Sequence, residues 1–400
     1  MRVRSDLLAV LVLGVGLAVT GPRPSCAQEG RAPPAAWVPG QEAIPIPPVY
    51  CETCIREKRV AGKIRPIRLM ERDGRDVLAF IQKPEVHYLE WDHLKFVSQI
   101  PAVNLGLEML PKTEEEKRNW LFLKREIEDL QPLFPGLRVG TLNPHQMAHL
   151  MMNRLIRYYQ QFETEMEFLK AVEGLVLADY GMGPHLGMKG PFEIYVLKGK
   201  QNYLRWEDRF LGRQSIVGQK WHLFEDRVLV FSSYYYGDVK LFNNFLHHNV
   251  AHLLLWGYRG WTFKLPGWIH VGYAHYVERS IHPRYNTCCF DEGGEPDTVK
   301  GWRWDTKVRQ AVAAADVPPL AELKLKVEMA EFVGSDHLIC WSLVRFLIEQ
   351  DRKKWRDFVD AISQPGRMDQ DEALRKTYGW TFNMLEEHWR EHVLRTYPKP

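Results

Sequence analysis

Two histidines four residues apart, His248 and His252, stand in the segment Phe245-Leu246-His247-His248-Asn249-Val250-Ala251-His252-Leu253-Leu254-Leu255-Trp256. On a helix this spacing points both imidazoles the same way, the geometry by which two ring nitrogens reach one tetrahedral zinc. Six of the fifteen histidines fall between positions 247 and 282, so further nitrogen ligands lie in the same stretch. Beside the first of the pair stands Asn249. An amide takes no proton near neutral pH, so it cannot be the base that activates a zinc-bound water. Other chemistries are poorly provided for: the chain has no G-x-S-x-G elbow and no glycine-rich phosphate loop ending in Lys-Ser or Lys-Thr.

A second segment extends the pattern: Leu265-Pro266-Gly267-Trp268-Ile269-His270-Val271-Gly272-Tyr273-Ala274-His275-Tyr276-Val277-Glu278. Together the two segments resemble the paired signatures of the gluzincins, zinc metallopeptidases of the peptidase-MA type, which read H-E-x-x-H and P-x-W-L-x-E-G-x-A-x-Y-x-E. Trp341 to Leu347, Asp371 to Leu374, Tyr378-Gly379-Trp380 and Leu385 to Arg390 are similar to the family as well, so the resemblance runs from about residue 190 to the end. In that family the first glutamate is the general base and the glutamate before the glycine is the third zinc ligand. Here those positions hold Asn249 and Val271. The resemblance therefore implies a pseudoenzyme, without a catalytic residue at the usual place.

Histidines nearby offer a substitute ligand set. His275 lies one helical turn beyond Val271 on the same face and His270 is adjacent to it, so His248, His252 and His275 could hold zinc with a water. Glu278, seven residues past Val271, returns to that face but about 10 Å along the axis at about 1.5 Å per residue, which reads as too far to replace the lost ligand. The plainer alternative is that these histidines are hydrogen-bonded core residues among Trp256, Trp261 and Trp268.

Export follows from the amino terminus. Arg2 and Arg4 precede an apolar run from Leu7 to Val19, and Ser25-Cys26-Ala27 offers small residues where a signal peptidase reads, so the mature chain is expected to begin at Gln28. The run is too short for a hydrocarbon core of about 30 Å, and no later uncharged stretch is long enough, so no transmembrane segment is expected. Fifty-three basic against fifty acidic residues give no field for nucleic acid. Five cysteines remain after cleavage: Cys51, Cys54, Cys288, Cys289 and Cys340. In an oxidising compartment disulfides are the default, and Cys51 and Cys54 with Cys288 and Cys289 are candidates for either disulfides or a four-thiolate structural metal.

The elements that must position these residues follow from local pattern. Proline density over residues 28–66 reads as a linker. Val86 to Trp91 and Leu94 to Val97 read as strands, Thr113 with Glu116 as a capping box opening a helix, and Pro144 to about Ala171 as a long helix. Phe192 to Leu197 and Arg227 to Phe231 are further strands, and a strong helix begins near Val239. After Pro283 the chain is mostly helical: Trp304 to Ala315, Leu338 to Gln350, Lys354 to Ile362, Asp369 to Tyr378 and Asn383 to Leu394. The expected architecture is α+β, gluzincin-like, with a small mixed sheet, active-site helices and a helical C-terminal subdomain. Its expected divisions are a signal peptide over 1–27, the linker over 28–66, an N-terminal α+β region over 67–189, a metallopeptidase-like core over 190–282 and the C-terminal subdomain over 283–400.

The expected protein is thus an exported pseudoenzyme, periplasmic, cell-surface or extracellular, that binds or scaffolds. Its partner is an extended peptide or a protein, and zinc is the implied cofactor. The alternative is a metal-dependent hydrolase or peptidase with an altered ligand set, His248 and His252 plus His275 or His270.

Overall fold

Alternation of period two along Phe192 to Leu197 places Phe192, Ile194 and Val196 on one side of a strand and Tyr195 and Leu197 on the other. A computed structural model contains this strand, with the two sets of residues in different core clusters. It describes residues 46–65, 71–72, 75–76, 86–105, 114–165, 192–211, 219–223, 229–257, 265–281, 286–287, 303–363 and 368–400. The leader, the linker up to residue 45, His282, Cys288 and Cys289 lie outside the described residues.

The strands are β1 (Tyr50–Cys51), β2 (Glu71–Arg72), β3 (Arg75–Asp76), β4 (His87–Trp91), β5 (Leu94–Ser98), β6 (Val103–Asn104), β7 (Thr141–Leu142), β8 (Phe192–Lys198), β9 (Gln219–Leu223) and β10 (Leu229–Tyr235). The helices are α1 (Glu52–Arg56), α2 (Glu114–Leu130), α3 (Pro144–Glu165), α4 (Lys200–Leu211), α5 (Val239–Gly257), α6 (Gly267–Ile281), α7 (Trp304–Ala313), α8 (Leu320–Leu323), α9 (Ser335–Gln350), α10 (Arg352–Ser363), α11 (Gln370–Tyr378) and α12 (Phe382–Thr396). The class is α+β. Six strands form one mixed sheet in the order β1-β4-β5-β8-β10-β9, in which β8 runs parallel to both β5 and β10 and the other pairs are antiparallel.

The register of β5 on β8, from Leu94 opposite Phe192 to Ser98 opposite Val196, joins the two segments that the sequence divides at residue 190. They share one sheet. Residues 35–400 accordingly form one unit. Within residues 46–65, which composition assigns to the linker, residues 50–56 form β1 and α1, and Ile46, Val49 and Val60 pack on the core.

Both faces of the sheet are covered. Leu94, Phe96, Phe192, Ile194, Val196, Leu229 and Phe231 face the main core, whereas Val97, Tyr195, Leu197 and Val230 meet Tyr203, Trp206 and Phe210 of α4 on the other side. The helix starts carry local signals. Asn143 and Gln146 exchange reciprocal bonds of 2.9 Å between side chain and backbone, a capping box that sets the first turn of α3 ahead of His145 and His149. Asp238 Oδ1 accepts from the amides of Lys240 and Leu241 at 2.8 and 2.9 Å, fixing the start of α5 and so the phase of His248 and His252.

Helices α5 and α6 are buried nearly all round, as their apolar composition requires. They pack against each other, and α9 packs on the far side of α6. The approach of α9 depends on Gly272. A Cβ there would meet the Cys340 carbonyl and lie 2.6 Å from Val344 Cγ2, so backbone rather than a flexible side chain would have to give way. Gly272→Ala is therefore expected to destabilise the fold by about 1–3 kcal/mol, the usual cost of overpacking. A lowered urea midpoint with an unchanged slope would record it, and an unchanged midpoint would contradict this packing.

Candidate metal centre

The metal-competent side chains of α5 and α6 are aligned by an antiparallel packing that the contacts mark out in steps. Asn244 Nδ2 donates to the Glu278 carbonyl at 3.3 Å, the rings of His248 and His275 lie 4.8 Å apart, and those of His252 and His270 are stacked at 5.8 Å. Residue numbers rise along α5 as they fall along α6. The ladder thus sets Glu278 and His275 beside His248, and the 270–271 turn beside His252.

Glu278 is part of the site, not remote from it. Its Oε2 lies 2.7 Å from His248 Nδ1, its Oε1 lies 3.6 Å from His275 Nδ1, and Oε1 also accepts the Thr287 amide at 2.8 Å. The axial estimate of about 10 Å along one helix is correct for Val271 but irrelevant to His248, which approaches from the neighbouring helix. Ligand atoms of His248, His275 and Glu278 all lie within 4.8 Å of one another, and all three side chains are fully buried. Zinc bonds of about 2.0–2.1 Å in tetrahedral geometry set ligand atoms roughly 3.4 Å apart, so this group could close on an ion with small side-chain shifts.

Protonation is fixed from outside the cluster. His337 Nε2 lies 3.0 Å from the Phe332 carbonyl, an acceptor only, so Nε2 carries the proton and a neutral His337 presents Nδ1 as an acceptor. His275 Nε2, 2.9 Å from that Nδ1, must then be the donor. A neutral His275 is left with an unprotonated Nδ1 facing the carboxylate of Glu278. A cation between this nitrogen and the carboxylate, either a proton or a metal ion, joins the two, and a metal-bound imidazole ordinarily has its other N–H engaged in just this way. Burial pushes the Glu278 carboxyl up, but His248 and His275 outweigh it and hold it below the ordinary carboxylate range. The carboxylate form, the ligand form, is favoured.

His252 and His270 flank this group; the His252 ring is 4.9 Å from that of His248, yet neither residue belongs to the set whose ligand atoms converge. Asn249 is fully buried, and its Nδ2 donates to the Phe245 carbonyl one turn back at 2.9 Å. Val271 is fully buried in the main apolar core. His247 points elsewhere, with Nδ1 2.7 Å from the Asn243 carbonyl, and burial lowers its pKa to about 4, so it stays neutral. His337 lies outside the motif, and Glu278 matches the last glutamate of the second signature but reads along its own helix as too distant. His337 carries no local sequence signal, whereas Glu278 is an acidic residue on a helix otherwise buried.

Cys51 and Cys54 are free thiols, not a disulfide, and the residues that face them are His145 and His149. The hydrogen bond with Cys54 holds the Cys51 thiol far below its ordinary range against the opposing effect of burial, and the same contact pushes Cys54 up. Cys288 and Cys289 lie outside the described residues. The chain matches no family model and no curated protein. No described helix is long and apolar enough to cross a membrane.

Proposed function

We propose that this is an exported, gluzincin-like pseudoenzyme that holds zinc through His248, His275 and Glu278 and acts by binding rather than by peptide hydrolysis. One observation carries the reading: at the position where a gluzincin keeps its general base stands a buried amide committed to the Phe245 carbonyl, while the carboxylate of the cluster is spent on His248 and His275. A metal bound there would supply a fixed positive charge joining α5 to α6. Asn249 can neither take a proton from water nor give one up.

The sheet offers a place for a partner. It ends on β9, antiparallel to β10, and no other described strand pairs with its outer edge. An extended peptide could add there through backbone hydrogen bonds. The test is metal analysis of the purified mature chain together with assays on casein and peptide libraries in the presence of zinc. Bound zinc with cleavage at background is expected. Chelator-sensitive cleavage that vanishes in His248→Ala would instead establish the hydrolase with an altered ligand set.

A further inference from the structure

The second cluster of ligating side chains lies beside β1, at the edge of the sheet away from β9, and shares no residue with the first. Cys51 closes the two-residue strand β1, Cys54 lies in the single turn of α1, and His145 and His149 project one turn apart from the start of α3. His145 Nε2 lies 3.2 Å from Cys51 Sγ and 3.4 Å from Cys54 Sγ, and His149 Nε2 lies 3.2 Å from Cys54 Sγ. All four ligand atoms fall within 4.8 Å of one another, and all four residues are buried. The separations are those of a tetrahedron's corners around a single ion, with sulfur and nitrogen in a two-and-two set that structural zinc sites use.

We propose that Cys51, Cys54, His145 and His149 form a structural zinc site that fastens the β1–α1 segment to α3. Two thiolates and two neutral imidazoles balance the charge of one divalent ion, so the complex can be buried without a net charge, and its formation sends the thiol protons to solvent. The surroundings are those of such a site. The Cys54 amide donates to Cys51 Sγ at 3.4 Å. His145 turns its other nitrogen, Nδ1, toward Glu57 Oε2 at 3.8 Å, longer than a hydrogen bond but on the side where an outer carboxylate stands to a ligating imidazole. Phe134 meets both imidazoles edge-on, with ring centres 5.2 and 5.5 Å away, and His87 stacks on His145 at 5.1 Å. With four protein ligands and an aromatic collar the site is closed, which distinguishes a structural ion from a catalytic one.

The fold has a use for it. A strand of two residues and a helix of five have almost no stability of their own, yet β1 is the strand that covers the outer edge of β4. Registering Cys51 opposite Leu89 and tying its thiolate to α3 holds that cover in place. An unprotected β4 edge would be open to pairing with another chain.

The experiment loads the full mature chain with cobalt or zinc and examines the metal's shell. Among the described residues the sulfur ligands belong to this cluster and none to the His248 group, and a sulfur signal lost in Cys54→Ser is assigned to this cluster whatever becomes of the pseudoenzyme reading. The expected outcome is thiolate-to-cobalt charge-transfer absorption, and X-ray absorption of the zinc form showing Zn–S near about 2.3 Å and Zn–N near about 2.0 Å. Cys54→Ser should lose one zinc per chain and become cleavable by protease within residues 46–65. His145→Cys should keep the zinc and raise the sulfur count from two to three, which guards against a variant that merely misfolds. A Cys51–Cys54 disulfide in protein purified without reductant would overturn the proposal, as would a metal shell without sulfur or a sulfur signal unchanged in Cys54→Ser.

Discussion

Glu278→Gln is expected to weaken zinc binding at the His248–His275 group by more than about 100-fold, beyond the roughly 10–100-fold that follows loss of an outer-shell partner. The substitution keeps the shape of the side chain and an acceptor for the Thr287 amide, 2.8 Å away in the parent, so the loop contact survives. What it removes is the negative charge and the oxygen that stands 2.7 Å from His248 Nδ1. His337→Phe should have the smaller effect, within the roughly 10–100-fold range, because it touches no metal but strips the acceptor that holds the His275 tautomer. Competition with a chromophoric chelator would rank the two variants. Equal affinities in Glu278→Gln and the parent would remove the carboxylate from the ligand set, and a larger loss in His337→Phe would mean that the tautomer argument has its order wrong.

The contrast between those two residues shows where the sequence is informative. His248 and His252 are found from their spacing because both lie on one helix, and strands such as β5 and β8 are found because period-two alternation is local. From sequence Glu278 can be placed only along its own helix, and there it is about 10 Å from Val271 at about 1.5 Å per residue. Its meeting with His248 depends on the antiparallel packing of α5 on α6, which no single segment encodes. The same holds for the cysteines: Cys51 and Cys54 announce a ligand pair, but their partners lie 94 and 95 positions away from Cys51 and Cys54 respectively, at His145 and His149. His145 and His149 themselves form an i, i+4 pair behind a capping box, a signal that composition alone passes over. Helix α4 is hard to read for another reason. Tyr203, Leu204, Trp206 and Phe210 stand among Gln201, Asn202, Arg205 and Asp208, a short mixed pattern that stands out only once the second face of the sheet is seen to need covering.

A double variant, Asn249→Glu with Val271→Glu, is expected to create a second way of holding zinc that uses His248 with His252 in place of His275. The packing of α5 on α6 sets Glu278 and His275 beside His248 and the 270–271 turn beside His252, so a carboxylate introduced at position 271 falls opposite His252. Without metal the variant should be several kcal/mol less stable than the parent. It buries two unpaired carboxylates, one where Val271 packs in the apolar core and one where Asn249 bonds the Phe245 carbonyl. Zinc at about 1,000 times its dissociation constant should return about 4 kcal/mol, and thermal unfolding with and without the ion would show the recovery. The decisive background is Glu278→Gln, in which the parent group is already weakened. If the double variant still gains zinc-linked stability there, the ion sits on His248, His252 and the carboxylate at position 271, and α5 and α6 hold two overlapping ligand sets that share one histidine. If the gain disappears with Glu278, the ion stays on His275 and Glu278, and position 271 does not face His252.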